Sequence, residues 1–164
     1  MIAAFIGFLA FVALAIYEIG TGSQGGSTGI LQNLEGAVSN VTAQLGGNLS
    51  AAQIAQLAAA AGFSGDDLAT AVAIALAESG GNPKAYNPET AARAPEGQGS
   101  YGLWQIFLKA HPEFAGQDLT DPATNAAAAF SVYSAAGQSF TPWSTFGNGA
   151  YQTYLSQAQG AVNA

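Results

Sequence analysis

Apolar residues recur at three- and four-residue steps in this chain and are cut into segments by glycine, a pattern that leaves packed helices as the route to a core. Ile54, Leu57, Ala58 and Ala61 share one helical face, Ser50 with Gln53 forms a capping box ahead of them, and Gly62 is placed to close the segment. Ser64 stands as cap for a second helix, with Asp66 and Asp67 in the first turn, where the helix dipole favours negative charge. Its apolar side runs through Leu68, Val72, Ala75 and Leu76 and stops at Gly80-Gly81. Asn82 to Gly99 is rich in Gly, Pro and Asn and reads as loop; Leu103 to Ala110 reads as a short helix. Asp121-Pro122 supplies a cap and a first-turn proline for an Ala-rich helix that ends at Gly137. Beyond an aromatic turn, Phe140 to Phe146, a last helix is expected over Ala150 to Gln159. No alternating pattern of useful length marks a strand, and no repeat is evident. The fold class is all-α.

The N-terminal part differs in kind. Met1 to Tyr17 carries no charged side chain, and at the usual helical rise this run would reach about 26 Å, at the short end of a bilayer span. Ala13-Leu14-Ala15 has the small-x-small form of a leader cleavage site, but no Lys or Arg precedes the run as a leader requires. A retained transmembrane anchor over residues 1–19 is therefore expected, with no basic flank to orient it. A buried core helix fits less well, because the run is apolar on every face. Residues 20–48 hold a flexible linker, Thr21 to Gly29, then a helical stripe of Leu31, Leu34, Val38, Val41 and Leu45. That stripe is first read as packing on its own domain, with the membrane or another copy as alternatives. Residues 49–164 form the globular domain.

Composition removes several classes of function. The chain is 49% hydrophobic and 8% charged, enough apolar mass to bury a core. It has no cysteine, so neither a disulfide framework nor a thiolate zinc site is available. Three basic residues against ten acidic ones give a net charge of −7, which repels a phosphate backbone and argues against nucleic acid as a partner.

Few ionisable groups stand beside apolar structure, and Glu78 is the outlier among them. It ends the segment DLATAVAIALAESGG, one turn past Ile74 and Ala75. Carbonyls at a helix C-terminus disfavour a carboxylate, and partial burial against the downstream aromatics would do the same. Both effects raise a pKa, as a general acid working near neutral pH requires. The same position also suits an exposed, solvated glutamate, and the residues alone leave the two readings level.

Ala77-Glu78-Ser79-Gly80-Gly81-Asn82-Pro83 followed by Tyr101-Gly102-Leu103-Trp104-Gln105-Ile106 resembles the soluble lytic transglycosylase family. That family pairs Glu-Ser at a helix end with a nearby Asn-Pro and a later Gly-Leu-x-Gln-Ile element, here in the same order. The resemblance covers about Ser50 to Leu155. It implies a lysozyme-like helical domain, of the kind shared with goose-type lysozymes, that cleaves the glycan strands of peptidoglycan without a cofactor or metal. Glu78 would protonate the bond between N-acetylmuramic acid and N-acetylglucosamine, then accept the 6-hydroxyl proton as a 1,6-anhydro sugar forms. No second carboxylate is then needed, unlike in most glycosidases.

The same resemblance assigns Ser79 to orienting Glu78 and Gln105 to the sugar groove, with Asn87 near a small polar groove position. Tyr101 stands before Gly-Leu where a smaller residue is common, and Glu89 to Gly99 reads as an insertion. The family's tyrosine-bearing Ala-Tyr-Asn-Ala-Gly element is absent; Phe140-Thr141-Pro142-Trp143-Ser144-Thr145-Phe146 stands instead, resembling a variant among phage-borne members. Trp143, Phe146 and Tyr151 are the candidates to replace it as stacking platform or acid neighbour, with Trp143 equally suited to the core. The anionic wall gains nothing from a −7 chain electrostatically, so sugar recognition should rest on hydrogen bonds and stacking. His111 has no second ligand nearby to make a metal site, and Asp118 and Asp121 read as turn and cap residues. If either aspartate faced the cleft it would activate water, and the product would be hydrolytic. The expected setting is a phage virion with an internal membrane, used for local wall opening during entry; a bacterial inner membrane facing the periplasm is the alternative. Other virion or envelope proteins would be partners there. The rival class is a module that binds glycan without cleaving it, or a structural membrane protein of the virion.

Overall fold

The computed structural model describes residues 47–89 and 93–163. The expected anchor and the 31–45 stripe lie outside the described residues. Among the described residues, no helix is long and apolar enough to cross a membrane.

Helix α1, Ala51–Ala61, begins with the expected capping box: the Ser50 N–H donates to Gln53 Oε1 at 2.9 Å and the Gln53 N–H to Ser50 Oγ at 3.3 Å. Two of the helix's orphan amides are thereby satisfied. Gly62 ends it at φ 121°, and a Cβ there would meet the Phe130 ring at 2.7 Å. Helix α2, Gly65–Ser79, starts after Ser64, but the Ser64 side chain makes no capping bond. Its centre from Ala71 to Leu76 is buried on all sides. Gly80, left-handed at φ 62°, terminates it.

The segment read as loop and short helix is where the sequence reading must be corrected. It holds a small antiparallel sheet in the order β1 (Tyr86–Asn87), β2 (Ser100–Tyr101) and β3 (Ile106–Phe107). Tyr86 lies opposite Tyr101, and Asn87 opposite Ser100. Two-residue strands leave no alternation to detect, so periodicity could not reveal them. The expected helix over Leu103 to Ala110 is absent because Gln105 adopts φ 46° and turns the chain back into β3. Gly102 explains its own place in the motif: φ is 74°, and a Cβ would lie 2.3 Å from both Asn125 Nδ2 and the Leu119 carbonyl.

Helix α3, Pro122–Ala135, begins as expected, with Asp121 Oδ2 accepting the Thr124 N–H at 2.8 Å. One turn, α4 (Ser144–Gly147), interrupts the aromatic segment, and α5 spans Gln152–Val162, two or three residues later than the sequence indicates. Helix α5 lies along α2 and α1, α1 also packs on α3, and α4 sits against α2. Phe63, Phe130, Tyr133 and Phe140 pack in and against the core with edge, tilted and stacked ring contacts at centroid distances of 4.7–6.0 Å. The Tyr133 hydroxyl donates to Asp67, and this bond with burial pushes its pKa up to about 12.

Asn125, fully buried, fastens the sheet to α3. Its Nδ2 donates to the carbonyls of Tyr101 and Leu119 at 2.9 and 3.0 Å, and its Oδ1 accepts the Trp104 N–H at 2.9 Å. Asn125→Ala strands all three backbone groups away from water, so a loss of about 3 kcal/mol is expected in denaturant unfolding. A loss below about 1 kcal/mol would show that the neighbourhood rearranges around the gap.

Candidate active site

A cleft of about 250 Å³ opens at the C-terminal end of α2, lined by Glu78, Asn87, Glu89, Arg93, Ser100, Gln105, Phe107, Pro142, Trp143 and Ser144. A wider groove of about 520 Å³ runs between the start of α2 and the end of α5, but among the described residues Asp66 is the sole ionisable side chain lining it. Chemistry, rather than volume, distinguishes the smaller cleft.

Glu78 is half-buried where α2 runs out. Burial raises its pKa above the ordinary carboxylate value, and hydrogen bonds from the Thr145 hydroxyl and backbone N–H pull the other way without cancelling the rise. The Thr145 Oγ1 donates to Glu78 Oε1 at 2.7 Å. A carboxyl in such surroundings is suited to hold a proton and give it up on demand.

Two indoles support this arrangement. Trp104 Nε1 donates to the Ala71 carbonyl on α2 at 2.9 Å, and Trp143 Nε1 donates to the Trp104 carbonyl at 2.8 Å. Two residues beyond Trp143, Thr145 returns to Glu78 on α2. Trp143 is only 5% exposed, so although it edges the cleft it has no free face for a sugar and belongs to the core.

Of the other expected site residues, Asn87 and Gln105 line the cleft with Glu78. Gln105 Nε2 donates to the carbonyls of Gly102 at 2.9 Å and Ala85 at 3.3 Å, which fixes the left-handed turn and leaves Oε1 as the acceptor for a ligand. The expected role of Ser79 is not met: its hydroxyl donates to the Ala75 carbonyl at 2.9 Å and accepts the Gly81 N–H at 3.2 Å, so it finishes the helix rather than orienting Glu78. Tyr101 lines a separate depression with Leu108 and Asp118, its ring 4.6 Å from that of Tyr86. Phe146 and Tyr151 make a tilted ring contact at 5.1 Å against the core and are not among the residues lining the cleft. Asp118 accepts bonds from the Thr120 amide and hydroxyl, which lower its pKa, and His111 meets Glu113 at 3.1 Å. Neither Asp118 nor Asp121 lines the cleft, whereas Glu89, the first residue of the segment read as an insertion, does. Thr145 and Glu89 were missed because a threonine in an aromatic turn and a glutamate in a polar loop carry no periodic or motif signal.

Residues 55–145 match the family of the lysozyme-like domain. That is more than half of the 164 residues. The chain belongs to the lysozyme-like domain family. No curated protein and no solved structure gives a significant match. The matched span takes in Glu78, Asn87, Gln105 and Trp143 and ends at Thr145. A lysozyme-like domain is a peptidoglycan-acting module of the transglycosylase and muramidase class, which bears out the resemblance read from the Glu78 and Gly102 motifs.

Burial of Glu78 has a consequence for stability. A folded-state pKa above the ordinary value means that the group's contribution to stability is complete below the ordinary carboxylate range and is lost as pH rises through the folded value. Glu78→Gln, which keeps acceptors for Thr145, is therefore expected to melt higher than the parent at pH 7, with the difference closing near pH 3. Equal melting temperatures across that range would contradict the burial penalty.

Proposed function

We propose that the chain is a lytic transglycosylase that cleaves the β-1,4 bond between N-acetylmuramic acid and N-acetylglucosamine, with Glu78 as its acid and base. The observation that carries this reading is the half-buried Glu78, raised in pKa and held by Thr145 in the cleft that also presents Gln105 and Asn87. Glu78 first donates its proton to the glycosidic oxygen as that bond breaks. The carboxylate so formed takes the proton of the muramic acid 6-hydroxyl, whose oxygen closes on C1. Proton and bond counts balance, no water enters, and the product is a 1,6-anhydro sugar. The Gln105 Oε1 is available to accept from a sugar hydroxyl or an acetamido N–H.

Hydrolysis is the second reading, and Glu89 is the observation that favours it, because paired carboxylates across a cleft are the ordinary hydrolytic arrangement. Its oxygens, however, already accept bonds from Arg93 at 2.7 Å and from Ser100 at 3.2 Å, which favours a positioned side chain over a free base. A glycan-binding module without catalysis would have no use for a proton donor at the motif's acid position.

We further infer that residues 1–19 anchor the enzyme in a membrane, and that a phage virion opening the wall during entry is its setting. The uncharged run from Met1 to Tyr17 and the phage-like Phe140 to Phe146 segment support this. The full chain is expected to stay with membranes through carbonate washing; release into the wash would remove the anchor.

Glu78→Gln is expected to lower glycan-strand cleavage by about 10²–10⁴-fold, with circular dichroism unchanged. Retained turnover would reject the acid assignment. Mass spectrometry of the released muropeptides should show the anhydro form, one water lighter than the hydrolytic product, and a hydrated product would establish the second reading instead.

A further inference from the structure

The chain has three basic residues, Lys84, Arg93 and Lys109, against a net charge of −7. One of them lies at the cleft and a second touches its backbone. Arg93 lines the cleft, and the Lys109 ammonium donates to the Arg93 carbonyl. The cleft also carries the carboxyls of Glu78 and Glu89, the second already paired with Arg93, so a ligand meets Arg93 as a fixed hydrogen-bonding fork rather than as a cationic field.

Arg93 is held in place while its head stays accessible. Its Nη1 donates to Glu89 Oε2 at 2.7 Å, its Cζ stands 5.3 Å from the Phe107 ring centroid, and the side chain is 64% exposed. Glu89 is the reverse, with only 10% of its side chain accessible. Ser100 Oγ and Asn87 Nδ2 donate to Glu89 Oε1 at 3.2 and 3.4 Å, and these two residues are cross-strand partners in β1 and β2. The Glu89 backbone sits at φ 62°, a left-handed conformation that a residue with a side chain rarely adopts. An ion pair with one exposed partner is screened by solvent and returns little stability. The Glu89 N–H also donates to Asn87 Oδ1 at 3.1 Å, so backbone and carboxyl are both held, and the fixed carboxyl in turn fixes the guanidinium at the cleft. The bond to Glu89 occupies one of five N–H donors, leaving a planar fork for a second carboxylate.

We propose that Arg93 binds a carboxylate carried by the glycan strand, so that the cleft selects acidic muramyl glycans over neutral ones. This rests on the peptidoglycan reading above and adds the group that is recognised. Muramic acid differs from N-acetylglucosamine by a lactyl ether that ends in a carboxyl, either free or extended into a peptide with carboxylates of its own. A neutral N-acetylglucosamine polymer offers Arg93 nothing to pair with. Glu89 is then a positioning residue that aims the guanidinium.

The test is calorimetric binding to the full-length chain carrying Glu78→Gln, which keeps the ligand uncut. Three ligands of equal length are compared: a peptide-free muramyl glycan with free lactyl carboxylates, the same glycan with those carboxylates converted to methylamides, and an N-acetylglucosamine oligomer. With Arg93 present, amidation should weaken binding about tenfold. With Arg93→Gln the free-acid glycan should bind about tenfold more weakly, amidation should then change affinity less than twofold, and the N-acetylglucosamine oligomer should show no comparable loss. Arg93→Lys should recover part of the preference for the free acid, and Glu89→Gln should erode it. Amidation that weakens both proteins equally, or neither, overturns the proposal, as does an equal loss for all three ligands. Absence of muramyl glycan binding overturns it as well. Failure of the peptidoglycan reading is distinguishable, because it appears separately as no cleavage of peptidoglycan by the unsubstituted chain.

Discussion

The carbonyl of Ala71, midway along a helix whose centre is buried on every side, accepts the indole N–H of Trp104, and much of the site depends on that bond. It fixes the strand-turn-strand segment against the helix that carries Glu78. The Trp104 carbonyl in turn accepts the indole N–H of Trp143, so the aromatic segment is fixed to the same place. Thr145 closes the circuit at Glu78. Each of these buried polar groups would be costly to leave unpaired, which makes the arrangement all-or-none. A helix end, a tight turn and a one-turn helix from distant parts of the chain are thereby held around one carboxyl.

That circuit also governs the electrostatics. The cleft must bury Glu78 far enough to favour its neutral form, yet the second half of the proposed reaction needs the ionised form to last long enough to accept a proton. Burial supplies the first requirement and the two Thr145 donors supply the second, and the net effect is a raised but still titratable group. A deeper site without Thr145 would hold the proton too firmly. An exposed one with the same donors would release it too early.

The sequence disclosed what is periodic or punctuated. The capping box at Ser50, the stop at Gly80 and the Asp121 cap are local devices acting within four residues, and the structure contains each. Glu78 and Gln105 were legible through the order of their motifs, and both line the cleft. What escaped depends on long-range contact. Strands of two residues have no period, and the side-chain amide of Gln105, which fixes a turn where a helix was read, donates to the carbonyl of Ala85 twenty residues away. Trp143 read equally as platform or core, and only the position of the Trp104 carbonyl decides for the core. Ser79 illustrates the opposite error: adjacency to Glu78 in sequence suggested a functional bond, but a serine at that place finds its own helix carbonyl first.

The motif glycine shows how a functional element and a structural constraint become one. Gly102 has to be left-handed, and it has to admit Asn125 and the Leu119 carbonyl to within a distance no Cβ allows. Asn125 can then reach the Tyr101 carbonyl and the Trp104 amide on either side of it. With those two points held, the chain between them has little choice but to turn through Leu103 and present Gln105 beside Glu78. A β1–β2 insertion therefore need not disturb the acid: it grows from the far side of the sheet's first turn, where Gly99 lets the Asn87 carbonyl approach, and brings Glu89 and Arg93 to the rim of a cleft whose geometry is already set.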